Sequence, residues 1–240
     1  MTVENSQTGR IALVTGASRG IGAAAARELA RRGAHVIIAA RTQGGLEALD
    51  DAIRADGGSA TLVPLDLREP QSCQELARIV GERWGRLDAL VANAGVLGPL
   101  TPVAQISPKE WAEVFTVNFH ANWALIRSFD ALLRQSPAGR AVFVTTGATR
   151  SAPAFWAAYA SSKAALEALV TSWANELGNS SVRANLINPG PVRTAMRKAA
   201  FPGEDPETLP PPEALAPLIA EMVSPNWTAN GERIDFAAHH

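Results

Sequence analysis

Near its start the chain carries a short apolar segment, a glycine-rich turn and an alanine-rich stretch, in that order. Arg10–Thr15 is rich in branched apolar residues, which is typical of a buried parallel strand. The turn after it contains Gly16, Gly20 and Gly22, and the helix-forming Ala23–Arg32 follows directly. A strand that leads through such a turn into a helix presents the free N–H groups of the helix start to a phosphate. This order predicts an α/β fold with a dinucleotide at its first turn, and a turn without ligand is the alternative.

The alternation of strand and helix continues along the whole chain. Short apolar runs begin near residues 35, 60, 87, 140, 182 and 233. The predicted helices between them are Ala23–Arg32, Leu46–Ala55, Ser72–Trp84, Pro108–Arg134, Trp156–Leu177 and Pro212–Val223. Elements of these lengths require parallel strands joined by right-handed crossovers. We therefore expect one doubly wound, Rossmann-like α/β domain over residues 1–240, with about seven parallel strands flanked by helices on both faces.

The end of the second predicted strand bears on the choice of dinucleotide. NAD-selective sites carry a carboxylate about 20 residues after the glycines, where it binds the ribose 2′-hydroxyl. This chain has Ala40 and Arg41 there, and Arg19 lies inside the glycine-rich turn. A guanidinium in place of a carboxylate favours a 2′-phosphate. NADP(H) is therefore the expected cofactor, with NAD(H) possible, unless both arginines are ordinary surface charges.

Polar residues follow three of the later strands, at the point where each strand ends. They form the segments 93–95, 146–149 and 188–194. In open parallel sheets, ligands bind beyond the carboxyl ends of the strands. The three segments are therefore expected to line one cleft.

Tyr159 is the single tyrosine of the chain, and Lys163 follows it by four residues in a helical stretch. This spacing places both side chains on one face of a helix. A free phenol has a pKa of about 10, too high for efficient proton transfer near neutral pH, and a nearby ammonium lowers it. The pair indicates a general acid/base, although a solvated helix face shows the same pattern.

Taken together, these features resemble the short-chain dehydrogenase/reductase family over nearly the whole chain. The matching residues are Thr15, Gly16, Gly20, Gly22, Asn93, Ala94, Gly95, Asn118, Tyr159, Lys163, Pro189 and Gly190. The resemblance implies an NADPH-dependent oxidoreductase that transfers hydride between the nicotinamide and a carbonyl or secondary alcohol. It implies that Tyr159 is the general acid/base and that Lys163 holds the nicotinamide ribose and lowers the tyrosine pKa. Asn118 would anchor a proton-relaying water.

The resemblance also implies a set of cofactor contacts, in which Asp66 meets the adenine and Thr194 meets the nicotinamide carboxamide. The expected cofactor-binding residues are Gly16, Ser18, Arg19, Gly20, Ile21, Gly22, Arg41, Asp66, Leu67, Asn93, Ala94, Gly95, Tyr159, Lys163, Pro189, Gly190, Val192 and Thr194.

One position departs from the family pattern. Family members usually carry a serine thirteen residues before the tyrosine, and this chain has Thr146. A threonine hydroxyl has the same hydrogen-bonding capacity, whereas its methyl group narrows the space beside it. We expect Thr146 to orient the substrate oxygen, with Thr149 or Thr145 as substitutes. A sensor or scaffold that binds nucleotide without turnover, and a dehydratase or epimerase with the same Tyr–Lys pair, remain alternatives.

The segment after Pro189-Gly190 and several apolar residues bear on the substrate. By resemblance, residues 191–217 form a substrate lid; a rigid, proline-braced loop is the alternative, because Pro202–Pro217 holds six prolines. An apolar pocket for a ketone with a hydrophobic body is expected from Val96, Leu97, Leu100, Ala148, Pro153, Phe155, Trp156, Met196 and Phe201. Arg150 and Arg193 are candidates for an acidic substrate group or for plain surface charges.

Composition argues against other classes of partner. A net charge of −1 indicates no nucleic-acid surface. The sequence contains no uninterrupted apolar stretch of 18 residues, which argues against a membrane span. Residues 1–9 lack an apolar signal core, so a cytoplasmic protein is expected. The single Cys73 and the lack of a Cys/His cluster predict no metal site. The resemblance implies a homodimer or homotetramer, and the origin of His239 and His240 stays open.

Overall fold

The computed structural model describes residues 6–236, so His239 and His240 lie outside the described residues. Seven strands form one sheet in the order β3-β2-β1-β4-β5-β6-β7, and every neighbouring pair is parallel. The strands are β1 (Ile11–Thr15), β2 (His35–Ala40), β3 (Ser59–Pro64), β4 (Ala89–Ala92), β5 (Arg140–Val144), β6 (Arg183–Asn188) and β7 (Arg233–Asp235).

Helices connect the strands. They are α1 (Gly20–Arg31), α2 (Gln43–Ala55), α3 (Pro70–Trp84), α4 (Pro108–Phe115), α5 (Ala121–Arg134), α6 (Ala148–Ser151), α7 (Ala157–Leu177), α8 (Ala195–Ala200) and α9 (Pro212–Met222). Short 3₁₀ turns occur at Val103–Gln105 and Pro206–Thr208.

Two hydrophobic cores lie on opposite faces of the sheet, because strand side chains alternate between the faces. Helices α3, α5 and α7 cover one face, with Phe129 and Phe143 fully buried between them and the sheet. Helices α1, α2 and α9 cover the other face. Burying one such large side chain stabilises the fold by about 1.5–3 kcal/mol. The predicted doubly wound fold with helices on both faces is therefore confirmed.

The predicted helix Pro108–Arg134 is wrong in one respect, because a π-helical segment, Thr116–His120, separates α4 from α5. A π segment adds one residue to a turn and keeps the apolar face, so the sequence pattern does not reveal it. The predicted start of α4 is confirmed: the Ser107 hydroxyl accepts from Glu110 N at 3.2 Å, and the Glu110 carboxylate accepts from Ser107 N at 3.0 Å.

One further difference concerns the end of segment 191–217, which the resemblance assigns to a substrate lid. Residues 212–217 open α9, which packs on α1 through buried Leu215 and Ala216.

Cys73 is buried in the α3 core, and burial raises the pKa of its thiol to about 11, as suits a structural thiol. None of the helices between residues 6 and 236 has the length and apolarity to cross a bilayer. Within the same range, His, Cys, Asp and Glu form no group fit to hold a metal ion.

Candidate active site

The order of the sheet creates a crevice beside β1. The chain leaves β1 towards β2 on one side and later returns to β4 on the other, so the turns after β1 and β4 diverge at the carboxyl edge. A cavity of about 830 Å³ runs along this edge. A volume of this size suits a ligand of several rings.

The glycine-rich turn packs tightly on the turn after β4. Gly16 has φ +65°, and a Cβ there would lie 2.9 Å from both Ala94 Cα and Asn93 Nδ2. Asn93 Nδ2 donates to Thr15 O at 3.1 Å and to Gly16 O at 3.2 Å. A Cβ on Gly22 would collide with Gly16 O and Asn93 Nδ2. Gly16 and Gly22 are therefore needed for packing.

The N-terminus of α1 faces the cavity without a capping side chain. Arg19 occupies the cap position in extended conformation, and the first turn contains no acidic residue. Gly20 has φ +58°, and a Cβ there would meet only Thr194 Cγ2, at 3.6 Å. Free N–H groups at the positive end of a helix dipole bind anions. These residues therefore fit the pyrophosphate of a dinucleotide.

Nearly all predicted cofactor residues line this one cavity. They are Gly16, Ser18, Arg19, Gly20, Ile21, Arg41, Asp66, Leu67, Asn93, Ala94, Gly95, Tyr159, Lys163, Pro189, Gly190, Val192 and Thr194. The exception is Gly22, which lies behind the turn. Of the predicted catalytic residues, Thr146, Tyr159 and Lys163 line the cavity and Asn118 does not.

Arg19 and Arg41 are exposed residues of the cavity lining, and neither guanidinium forms an ion pair within residues 6–236. The Asp66 carboxylate is held by Arg68, whose Nε lies 3.0 Å from each oxygen. The Arg68 hydrogen bonds keep the pKa of Asp66 below its usual range, with a smaller contribution from the charge of Arg41. The sequence reasoning missed Arg68.

Tyr159 is buried at the edge of the cavity. Burial raises the pKa of its phenol above the ordinary value, and hydrogen bonding to the Thr146 side chain opposes that rise. The expected lowering of the tyrosine pKa by Lys163 is not found in the protein alone, because desolvation outweighs the favourable contacts. The neutral phenol is thus the favoured form at neutral pH.

Lys163 is buried under the turn after β4. Its Nζ donates to Val144 O at 2.7 Å, and a Cβ on Gly95 would lie 3.6 Å from Nζ. Burial lowers the pKa of Lys163 from 10.5 to about 8, and the charge of Glu167 acts in the opposite sense. The lysine therefore exchanges its proton much nearer to neutrality than an exposed lysine does.

Asn118 lies in the π-helical segment and is fully buried. Its Nδ2 donates to Val96 O at 2.9 Å and Ser162 Oγ at 3.0 Å, while its Oδ1 accepts from Val96 N at 2.9 Å. Its backbone oxygen accepts from Asn122 Nδ2 at 2.8 Å. The amide side chain is thus engaged in holding the segment after Gly95, away from the cavity.

Thr146 begins the turn after β5. Its hydroxyl accepts from Ala148 N at 3.2 Å and interacts with Tyr159. The hydroxyls of Thr145 and Thr149 are instead bound to Glu167, at 2.5 and 2.9 Å. Of these three threonines, Thr146 is therefore the one whose hydroxyl interacts with Tyr159. The sequence reasoning missed Glu167, although its position one turn after Lys163 was a usable signal.

Apolar side chains close the cavity next to Tyr159. The Trp156 ring lies 5.9 Å from the Tyr159 ring and 5.7 Å from the Phe201 ring. Of the predicted pocket residues, Val96, Leu97, Trp156 and Met196 line the cavity, and Phe201 backs Trp156. Leu100, Ala148, Pro153 and Phe155 lie outside its lining. Arg150 and Arg193 form ion pairs with Asp235 and Glu207 respectively.

A doubly wound parallel sheet with an anion-binding first turn and a buried Tyr–Lys pair defines a dinucleotide-binding α/β protein. A family model described as short chain dehydrogenase matches residues 10–205. The uncharacterized oxidoreductase YciK of Escherichia coli is 40% identical over 212 residues, covering 87% of this chain and 84% of that protein. The benzil reductase ((S)-benzoin forming) IRC24 of Saccharomyces cerevisiae is 36% identical over 197 residues, covering 79% and 74%.

The structural comparison agrees with the family model. A short chain dehydrogenase from Shigella flexneri, solved in complex with NADP, superposes with a TM-score of 0.93 at 37% identity, covering 97% of this chain and 98% of that one. The chain belongs to the short-chain dehydrogenase/reductase family. It is an NAD(P)-dependent oxidoreductase with a Rossmann fold.

Proposed function

We propose that this protein is an NADPH-dependent reductase of carbonyl compounds that carry an apolar, ring-bearing body. The observation that carries the proposal is the buried Tyr159 phenol, which meets Thr146 on one side and Trp156 on the other at the edge of the cofactor-sized cavity. A proton donor, a second hydroxyl and an apolar wall thus converge at one point.

The residues around the cavity fit NADPH, which supplies the hydride when bound. The free N–H groups at the start of α1 suit its pyrophosphate. Arg19 and Arg41, which have no carboxylate partner among residues 6–236, suit its 2′-phosphate. The Shigella relative solved with NADP supports this preference. Lys163 and Gly190 would meet the nicotinamide half.

Tyr159 then acts as the proton donor to the carbonyl oxygen. Because burial raises the pKa of its phenol, Tyr159 keeps its proton at neutral pH and is suited to the direction of reduction. Thr146 donates a second hydrogen bond and fixes the position of the oxygen. Lys163, one helical turn away with a pKa of about 8, is the residue suited to return a proton to Tyr159. Asn118 supports this path by holding the segment beside Gly95.

The substrate is expected to carry a flat ring next to its carbonyl. Trp156, backed by Phe201, presents an aromatic face beside Tyr159, and aromatic pairs gain about 0.5–1.5 kcal/mol beyond their buried area. The name of the yeast relative, a benzil reductase, points to the same kind of substrate. Residues 191–211 remain the proposed lid, because residues 212–217 belong to α9; within the lid, the Arg197 guanidinium lies 3.8 Å from the Phe201 ring centroid and pairs with Glu204.

We also propose assembly as a homodimer or homotetramer, by resemblance to the family. Trp111 and Trp123, 37% and 46% exposed, give α4 and α5 aromatic surfaces of the kind that subunits bury. Light scattering after size-exclusion chromatography measures the state directly, and a monomer at all concentrations would remove this part of the proposal.

The function is tested by following NADPH oxidation with a panel of aryl ketones, diketones, quinones and cyclic alkyl ketones. We expect turnover of aryl carbonyls and a loss of about 10²- to 10⁴-fold in Tyr159→Phe, which lacks only the hydroxyl. Substrate conversion without net NADPH oxidation would instead indicate an epimerase or dehydratase. Tight NADPH binding without turnover of any compound would support a sensor.

A further inference from the structure

We propose that Arg233 and Asp235 of β7, together with Glu167 of α7, are positioning residues that hold the catalytic Thr146 turn and the nicotinamide-side turn at Asn188–Gly190 in place. This inference rests on the proposed function, which gives Thr146 and Gly190 their roles. None of the three residues lines the cavity, so they act through the backbone of the two turns.

Arg233 and Glu167 fix the Thr146 turn from behind. Arg233 Nη2 donates to Thr146 O at 3.1 Å, while Arg233 Nη1 donates to Glu167 Oε1 at 2.8 Å and Thr149 Oγ1 at 2.7 Å. The Thr149 hydroxyl in turn lies 3.0 Å from Thr146 O and 2.9 Å from Glu167 Oε1. The ion pair between Arg233 and Glu167 therefore binds the backbone carbonyl oxygen of Thr146. It also binds the hydroxyls of Thr145 and Thr149, on either side of Thr146.

Asp235 fixes the second turn. Asn188 Nδ2 donates to Asp235 Oδ1 at 2.8 Å, and Asn188 Oδ1 accepts from Gly190 N at 3.2 Å. Gly190 takes a left-handed conformation with φ +65°, which glycine adopts without strain, and its N–H is fixed by the Asn188 side chain. Pro189 and Gly190 line the cavity. The Asp235 carboxylate therefore reaches the cofactor edge through a single side chain.

The two halves are joined on one strand. Residues two apart on a strand point to the same face, so Arg233 and Asp235 share a face, and Arg233 Nε lies 3.4 Å from Asp235 Oδ1. Ile234 points to the opposite face and packs on the α1–α9 core. The strand β7 has three residues. The side chains of Arg233 and Asp235 contact the two turns of the site, and the side chain of Ile234 packs in the core.

The ion pair between Arg233 and Glu167 is largely buried, unlike an ordinary surface ion pair. The side chains of Arg233 and Glu167 are only 10% and 22% exposed. Charges removed from water are tolerated when hydrogen bonds satisfy them, and losing one partner leaves the other uncompensated. The hydrogen bonds that satisfy Arg233 and Glu167 join the two side chains to each other and to Thr146 and Thr149 of the turn after β5.

The test compares four variants with the parent protein. Arg233→Met removes the central guanidinium, and Thr149→Val removes one hydroxyl of the same cluster while keeping its shape. Asp235→Ala cuts the link to Asn188. Arg183→Met is the matched control, because it removes a half-buried guanidinium of the neighbouring strand β6 whose hydrogen bonds within residues 6–236 go to the carbonyls of Ser180 and Val182.

Three measurements separate positioning from general stability. Misplacing a catalytic group by about 1 Å costs up to about 10²-fold in rate. We therefore expect Arg233→Met to lower kcat by about 10- to 100-fold and Thr149→Val by about 3- to 10-fold, with NADPH affinity changed less than about twofold. Asp235→Ala should instead weaken NADPH binding several-fold. Ultraviolet titration of Tyr159, the single tyrosine, should show a higher pKa in the first two variants, because Thr146 no longer opposes its rise.

The inference is overturned if folded Arg233→Met and Thr149→Val keep the kcat and the Tyr159 titration of the parent. Should Arg233→Met fail to fold, Thr149→Val decides alone, and parent-like values in that variant overturn the inference. The same holds if Arg183→Met lowers kcat as much as Arg233→Met. If the parent reduces no carbonyl at all, the proposed function fails, while the Tyr159 titration and NADPH affinities still test the positioning role.

Discussion

Lys163 Nζ and the carbonyl oxygen of Val144 are joined by a 2.7 Å hydrogen bond, which ties helix α7 to the last residue of β5. Thr146 lies two residues after Val144 in the same chain segment. The bond therefore sets the spacing between the helix that carries Tyr159 and the turn that carries Thr146. It also holds an ammonium where water is excluded, which explains why the pKa of Lys163 is lowered to about 8.

Replacing Lys163 with an apolar residue should raise the stability of the protein and abolish its activity. In the native state the pKa of Lys163 is about 8, and in the unfolded chain it returns to 10.5, so the buried charge costs stability at every pH below 8. Lys163→Met should raise the free energy of unfolding by about 2 kcal/mol at pH 7, after allowing for the lost bond to Val144. The gain should shrink as pH rises from 8 to 10.5, while turnover is abolished. Denaturant unfolding at several pH values measures the free energy of unfolding of Lys163→Met and of the parent. A variant less stable than the parent at pH 7 would show that the buried ammonium does not cost stability.

Thr146 is expected to act through its hydroxyl. Thr146→Ser keeps the hydroxyl and should retain most turnover, whereas Thr146→Ala should lose about 10- to 1000-fold in kcat, as expected for a lost hydrogen-bond donor. Steady-state kinetics with one verified ketone compares the two. Equal rates in Thr146→Ala and the parent would show that another group holds the substrate oxygen.

The preference for NADP(H) is expected to depend on the end of β2. The double variant Ala40→Asp, Arg41→Gln places a carboxylate against the 2′-phosphate and removes a guanidinium. The ratio of kcat/KM for NADPH to that for NADH should fall by at least about tenfold. Arg78→Gln, which breaks exposed pairs with Glu75 and Glu82 on α3, is the control. An unchanged ratio in the double variant would locate the 2′-phosphate elsewhere.

Trp156 is expected to select for rings. Trp156→Ala should lower kcat/KM for an aryl ketone about 3- to 10-fold more than for a cyclic alkyl ketone of similar size, because only the aryl substrate loses a ring contact. Phe155→Ala is a suitable control, since Phe155 is exposed beside Trp156 and does not line the cavity. Equal losses on both substrates would mean that Trp156 only supports Tyr159.

The features predicted from sequence are those that neighbouring residues determine. The strand, turn and helix around Gly16 could be read directly, because glycine conformations and apolar runs act over a few residues. The gathering of 93–95, 146–149 and 188–194 at one edge followed from the parallel order of the strands. The end of β2 identified the exposed Arg41 in the same way.

Other features depend on contacts that the sequence does not display. Arg233 lies 66 residues from Glu167, and nothing local links the two. The π-helical segment at Asn118 leaves the apolar pattern intact. The raised pKa of Tyr159 in the protein alone was not expected, because the spacing to Lys163 shows a possible partner, whereas the depth of burial appears only in the folded chain.

A pH titration of the tyrosinate ultraviolet absorbance tests the proton-donor role most directly, because Tyr159 is the only tyrosine and no other group contributes that signal. Circular dichroism should be recorded in parallel to define the pH range in which the protein stays folded. A pKa above the ordinary value of about 10, raised further in Thr146→Val, is the predicted result. A pKa at or below 10, or one that Thr146→Val leaves unmoved, would contradict a buried, neutral phenol that shares its substrate oxygen with Thr146.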